Sequence, residues 1–315
     1  MSRSRRGAAT AALAATILAV CGCGGGATRF SGSEPPPPGG GGELRYALPA
    51  VPAALDPLAA SSNSERTVVR QLFEPLVGDL SAPYRPTPPR RGLALGWRHS
   101  RDFRIWSFRL RPGVRFQDGA LFNAAAVLAN ADRWRTASVG QSLLPGLVAA
   151  DAPRPDLARL ILAQPMRDLA RRLRDPRLGL VSPDVLRPGS AVLAREERAG
   201  SGPFVAAARS PASIVLSRNR GWWGSRFGLG PALDRVVFTA TPGPFERLSR
   251  LRDGAVRVAA ELDPRDAAQL RRDPLLTVKG TRSGHPVGLE RSVRGIRDWR
   301  AQPLSGVWLA LLQQS

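Results

Sequence analysis

Cysteine is nearly absent from this chain. Its 315 residues include two, Cys21 and Cys23, both at the end of the N-terminal leader. Nothing after Cys23 can form a disulfide or a thiolate metal site. Histidine is as scarce, with His99 and His285 the whole supply. A metal site would need ligands beyond two distant imidazoles and scattered carboxylates, so no metal and no cofactor is expected. There is no Gly-x-Ser-x-Gly elbow, no Walker A loop and no Gly-x-Gly-x-x-Gly following a strand. Hydrolase, nucleotide and dinucleotide chemistry therefore lack their parts, and no enzymatic activity is expected. His99 reads as a surface residue in the lead-in to a strand, and His285-Pro286 as a turn.

Lysine is scarcer still. Lys279 is the sole lysine among 46 basic residues, against 25 acidic ones, for a net charge of +21. So large a charge invites a nucleic-acid reading. The arginines are instead scattered and interleaved with Asp and Glu, and no zinc-finger spacing or RRM-type aromatic motif appears. Arginine richness beside abundant Ala, Gly and Pro fits the codon bias of a GC-rich genome, and nucleic acid is not an expected partner. The milder consequence is attraction to anionic headgroups or cell-wall polymers, which salt would screen.

Residues 1–22 read as a bacterial lipoprotein signal peptide. Arg3, Arg5 and Arg6 make a positive start, and Gly7 to Val20 is an apolar run too short to span a bilayer comfortably. Cys23, with Gly22 before it and Val20 three before it, suits lipobox cleavage. Cys21 is the alternative, with Leu18 three before it but the bulkier Val20 adjacent. The Arg5-Arg6 pair hints at twin-arginine export, without the hydrophobic residues expected just after it. A diacylglycerol on Cys23 would anchor stably, since two chains exceed the marginal binding of one. Cleavage would take three arginines with the leader and leave about +18. Residues 23–43 follow as a flexible tether, with Pro35 to Pro38 and Gly39 to Gly42 unable to build a core.

The folded part, 44–315, is organised around Trp106 to Trp134. Trp106, Phe108 and Leu110 alternate with Ser107, Arg109 and Arg111, the period of a half-buried strand. Pro112-Gly113 supplies a turn, Val114 and Phe116 a second short strand, and Asp118-Gly119 another turn. Asn123 can cap a helix whose inner face is Val127, Leu128, Ala131 and Trp134. Before this block, Leu44, Tyr46 and Leu48 alternate as a strand. Ser62 and Glu65 have capping-box spacing ahead of a helix whose face is Val68, Val69, Leu72, Phe73 and Leu76, with Pro75 expected to end it early. Beyond Trp134 the chain is expected to loosen through Gly140 and Pro145-Gly146. A strand at Leu160 and Leu162 and an Arg-rich helix around Leu169 and Leu173 follow. Further strands are expected at Ile214 to Leu216 and at Leu233 to Phe238, then a helix over Phe245 to Leu251.

The block Trp106-Ser107-Phe108-Arg109-Leu110-Arg111, Gly113-Val114-Arg115-Phe116-Gln117-Asp118-Gly119 and Asn123-Ala124-Ala125-Ala126-Val127 resembles the signature of the family 5 extracellular solute-binding proteins. These are the dipeptide, oligopeptide and nickel binders of ABC importers. Leu55-Asp56-Pro57, Leu72-Phe73-Glu74-Pro75-Leu76, Leu93-Ala94 with Trp97, Gly200-Ser201-Gly202-Pro203-Phe204 and Asn219 to Gly224 resemble further family elements in the same order. Ala126 departs from it, standing where the family usually has Asp. The resemblance implies an α/β fold of the type II periplasmic-binding-protein class. The first lobe would be largely present (44–254 and 286–315), and the second reduced to a remnant at 255–285. It implies an extracytoplasmic substrate-binding lipoprotein on the outer side of the cell membrane or in the periplasm. Such a protein binds peptides or similar small solutes and delivers them to ABC permease subunits. A degenerate surface lipoprotein with an interaction or structural role is the alternative, since one lobe offers half a cleft. The resemblance places ligand near Trp134, Arg135, Ser138 and Gln141, with Gly202, Phe204, Trp222 and Trp223 as further candidates. For Gly202 and Phe204 a structural crossing between lobes is the competing role. For the two tryptophans it is the core.

Overall fold

The computed structural model describes residues 41–78, 92–187, 198–227, 231, 233–262, 276–280 and 286–291. The leader, residues 23–40 of the expected tether, His285, Trp299 and Trp308 lie outside them, and Glu43, expected to end the tether, instead opens the first strand by pairing with Arg235. Two sheets organise the chain. The larger has seven strands: β1 (Glu43–Leu48), β6 (Phe204–Ser210), β7 (Ser213–Arg218), β8 (Arg235–Ala240), β9 (Val258–Ala259), β10 (Leu276–Gly280) and β11 (Pro286–Arg291). Their spatial order is β10-β11-β9-β1-β8-β7-β6. The smaller has four: β2 (Ala94–His99), β3 (Ile105–Leu110), β4 (Leu147–Arg154) and β5 (Leu157–Leu162), in the order β2-β3-β5-β4.

β1 is the centre of the larger sheet. It runs parallel to β8 from Glu43↔Arg235 to Leu48↔Ala240 and parallel to β9 at Tyr46↔Val258. β7, β6, β11 and β10 extend this core by antiparallel pairing. A parallel strand has to be covered on both faces, and β1 is. Tyr46 and Leu48 pack with Val68, Val69 and Leu72 of α1 (Asn63–Leu72). Ala47 packs on the other face with Leu248 and Leu251 of α6 (Pro244–Arg252). α1 begins at the expected capping box, with Glu65 N donating to Ser62 Oγ at 3.1 Å and Ser62 N to Glu65 Oε2 at 2.8 Å. It ends at Leu72, three residues ahead of Pro75.

The smaller sheet buries one face. Trp106, Phe108 and Leu110 of β3 and Leu160 and Leu162 of β5 share a core with Val127, Ala131 and Trp134 of α2 (Ala124–Thr136). Asn123 caps α2 as expected, accepting from Ala126 N at 3.2 Å. Ala126 is fully buried in the first turn, so its identity bears on how the helix starts and packs. Asn130, also buried, fastens α2 to a distant segment. Its Nδ2 donates to Val181 O at 2.8 Å, and its Oδ1 accepts from Val181 N at 2.9 Å. The remaining short helices are α3 (Ser138–Leu143), α4 (Leu169–Arg172) and α5 (Pro183–Leu186).

Several expectations change. The segment after Trp134 does not loosen at once. α3 continues from Ser138, because Gly140 lets it fold tightly back on α2; a Cβ there would stand 2.1 Å from Trp134 O. Val114 to Phe116 is a turn with one bridge, Arg115↔Leu121, and not a strand. The lead-in 94–99 is itself strand β2, and His99 ends it, exposed. The segment 255–285 contributes β9 and β10 to the sheet built on β1. No helix among the described residues is long and apolar enough to cross a membrane.

Candidate functional site

Two places could meet a ligand. The first is a hollow of about 530 Å³ where the end of α2, α3 and the start of β4 meet, lined by Arg135, Gln141, Leu144, Pro145, Gly146, Leu147 and Val148. α3 makes it by turning back at Ala137 and delivering Gln141 beneath the last turn of α2. Gln141 Nε2 donates to Arg135 O at 2.9 Å, which satisfies a helix-end carbonyl and fixes the amide. The Arg135 guanidinium reaches Asp132 at 3.4 Å and is otherwise largely exposed. Leu144 and Leu147 form an apolar floor, and Val148 is open to solvent. A cation and an amide over an apolar floor suit a small solute with a carboxylate and an apolar part.

The second place is the carboxyl end of the parallel strands, where open α/β sheets bind ligands. Chain leaves β1 at Pro49, β8 at Thr241 and β9 at Ala260, side by side. Arg247 of α6, 3% exposed, ties this edge together. Its Nε donates to Ala260 O at 2.9 Å, Nη1 to Thr241 O and Pro242 O at 2.6 and 2.7 Å, and Nη2 to Glu261 O at 2.7 Å. Burial pulls this guanidinium below its ordinary pKa, and Glu261 and Glu246 counter that. Glu261 takes a positive φ of 53° and accepts from Ser64 Oγ at 2.8 Å. Phe245, 77% exposed, stands at the start of α6.

The structure divides the expected ligand contacts. Arg135 and Gln141 line the hollow together. Ser138 is exposed on the same short helix, and Trp134 is buried in the core beneath it. Gly202 and Phe204 lie elsewhere, buried where 200–204 crosses the end of α1. Gly202 N donates to Leu72 O at 2.8 Å, and Gln117 Nε2 donates to Phe204 O at 2.7 Å. Trp222 and Trp223 are buried against the smaller sheet's core, with ring centroids 5.4 Å apart. Trp223 Nε1 donates to Glu74 Oε2 at 2.8 Å, and Arg111 stacks on the Trp223 ring at 4.0 Å. Sequence reasoning did not reach Arg247, Glu261 or Phe245. Their one signal was position after a strand, which needs the parallel pairing to be visible. Among the described residues no three His, Cys, Asp or Glu side chains gather as a metal site.

A central parallel strand with crossovers on both faces, antiparallel strands added at either side and an appended four-stranded sheet is the α/β lobe of a type II periplasmic binding protein. Residues 89–293 match the family model described as "Bacterial extracellular solute-binding proteins, family 5 Middle". The chain belongs to that family. It is 27% identical over 223 residues to the glutathione-binding protein GsiB of Salmonella typhi, an alignment covering 69% of this chain and 41% of that one. It is 30% identical over 166 residues to the probable D,D-dipeptide-binding periplasmic protein DdpA of Escherichia coli K12, covering 50% and 31%. In fold it is similar to AgaA of A. tumefaciens R10, solved with agropinic acid, at a TM-score of 0.66 and 24% identity, covering 75% of this chain and 47% of that one. It is similar also to DppA of Helicobacter pylori, solved with the peptide STSA, at a TM-score of 0.61 and 22% identity. The chain spans less than half the length of the curated relatives it matches.

Proposed function

We propose that this protein is an extracytoplasmic binding component of an ABC importer that takes up peptides or similar small solutes. It captures its ligand by binding and release, without chemistry. The observation that carries this reading is the family match across 89–293, which includes β2 to β9 and the crossing at 200–204. The names of the relatives, glutathione-binding and D,D-dipeptide-binding, support a short peptide as the ligand class. Arg135 and Gln141 would meet the solute's carboxylate, with Leu144 and Leu147 beneath its apolar part. The carboxyl edge at Thr241 to Glu261 would face the solute from the larger sheet. Permease subunits are the expected partners. Cys23, with Cys21 as alternative, would carry the lipid that holds the protein at the outer face of the membrane.

The test is calorimetry of the chain without its leader against glutathione and a dipeptide pool, beside native mass spectrometry for co-purified solute. Saturable binding that Arg135→Ala weakens at least tenfold supports the reading. No binding at millimolar peptide overturns it and leaves a surface lipoprotein with a structural role. Mass analysis of the membrane-extracted protein, with Cys23→Ser and Cys21→Ser in parallel, decides the anchor.

A further inference from the structure

Glu74 is a carboxylate placed where the two cores meet. Phe73, just before it, packs in the core of the larger sheet, and Leu76, just after it, packs in that of the smaller. Four segments close around it. From the crossing, Ser201 Oγ donates to Glu74 Oε2 at 3.1 Å. From the tryptophan turn, Trp223 Nε1 donates to the same oxygen at 2.8 Å, while the Trp222 indole approaches without closing a good hydrogen bond. From the exit of β3 comes Arg111, 5% exposed, with Nε 3.3 Å from Gly92 O and its guanidinium on the Trp223 ring. Behind it, Leu180 N donates to Glu74 O at 2.9 Å. Glu74 itself is 5% exposed.

The charges on the surrounding elements are accounted for. Among the described residues, Arg111 is the charged group that acts on Glu74 to favour its ionised form. On the neighbouring turn Arg177 is committed to Asp175 at 2.8 Å. Arg226, after the tryptophans, reaches Gly113 O at 3.4 Å. Of the α1 arginines, Arg66 acts on Asp175, and Arg70 makes contacts of its own. Desolvation by burial outweighs the indole, hydroxyl and guanidinium together, and pushes the carboxyl up from 4.5 to about 7.

We propose that Glu74 is a proton-binding site whose ionisation loosens the junction between the two sheets, so that the lobe tightens as its surroundings acidify. An acid whose pKa is raised on folding binds its proton more firmly in the folded chain. Its contribution to stability is fully present below the unfolded value and is lost as pH rises through the folded one. The window here runs from about 4.5 to about 7. A protein outside the cytoplasm meets pH changes across that range. The smaller sheet, which carries the hollow at Arg135, hangs on this junction.

The experiment is urea unfolding of the chain without its leader, followed by tryptophan fluorescence, at pH values from 5 to 8.5. The wild type should lose on the order of a hundredfold in its folding equilibrium as pH rises, the decline levelling off near 7. Glu74→Gln should abolish that decline, and His99→Gln should leave it in place. Hydrogen exchange at Leu180 and Gly202, corrected for the intrinsic effect of pH, should speed up over the same range and level off at the same pH. If Glu74→Gln does not fold, Ser201→Ala decides. It removes a donor to the carboxylate and should move the levelling-off upward. A wild-type profile flat over this range, a decline that survives in Glu74→Gln, or a levelling-off that Ser201→Ala does not move overturns the proposal.

Discussion

Replacing Gly200 by alanine tests whether the 200–204 segment is structural crossing. A Cβ at Gly200 would lie 1.9 Å from Leu72 O and 2.7 Å from Leu72 C. Nonbonded carbon atoms rest at about 3.5–4.0 Å, so one backbone must retreat by roughly 1.5 Å. Neither is free to do so. Leu72 O accepts from Gly202 N at 2.8 Å, and Gly200 O accepts from Gln117 N at 2.8 Å. Losing both bonds costs about 1 kcal/mol each, and forcing atoms into a filled space adds about 1–3 kcal/mol. The expected loss is therefore about 3–5 kcal/mol. Against a typical stability of about 5–15 kcal/mol, the variant should fold marginally. Gly221→Ala is the control, because the nearest atom to its Cβ is Asn219 Oδ1 at an ordinary 3.5 Å; it should stay within about 0.5 kcal/mol. Urea unfolding by tryptophan fluorescence measures both. A Gly200→Ala loss no larger than that of Gly221→Ala would refute the close approach and reopen direct ligand contact for the segment.

Three further outcomes are expected. Ser62→Ala removes one half of the α1 capping box and should cost about 1 kcal/mol, read as a lower urea midpoint at unchanged m. Phe108→Ala empties a fully buried position under the smaller sheet and should cost about 3–5 kcal/mol, seen as a fall in Tm by calorimetry. Asp56→Asn should cost about 1–3 kcal/mol, less than for a fully buried pair. Arg133 and Asp56 keep 12% and 16% of their side chains exposed, and Arg133 Nη2 lies 2.6 Å from Asp56 Oδ1. Double-mutant analysis with Arg133→Met checks that the loss is the pair's.

Local rules made much of the frame legible. The alternation in β1 and β3, the cap at Asn123 and the box at Ser62 are each decided within a few residues, and each appears as expected. The misses are tertiary. β4 contains Ala149, Ala150 and Asp151, with no alternation worth reading, and it forms because β5 offers an edge. β6 is similar, with Ala206 and Ala208 paired onto β7. α3 depends on a glycine contact with α2 that no spacing announces. For the site, Arg135 and Gln141 are brought together by the fold-back at Ala137. Trp134, next in the chain to Arg135, points the other way because the helix turns it into the core. The side-chain direction along α2, and not the residue type, separates them.

The brace at the carboxyl edge shows why the rest stayed hidden. Parallel strands end with carbonyls aimed out of the sheet, and each needs a partner when the edge is buried. Here four of them, from Thr241, Pro242, Ala260 and Glu261, converge on one guanidinium. Arginine suits this because its donors leave Nε, Nη1 and Nη2 in a fixed planar fan. A lysine ammonium would supply three donors from one point, too few and too close together to span the exits of β8 and β9. The brace also fixes what stands beside it. Glu261 is held at positive φ with its carbonyl on Arg247 and its carboxylate on Ser64. Phe245, two residues before Arg247, is carried outward on the same helix. A pre-organised edge with a carboxylate and an aromatic ring beside it would suit the solute capture proposed above. In a chain where nearly every basic residue is arginine, choosing arginine over lysine at position 247 carries no signal in the sequence. The residue that holds the edge together is thus masked by the composition around it.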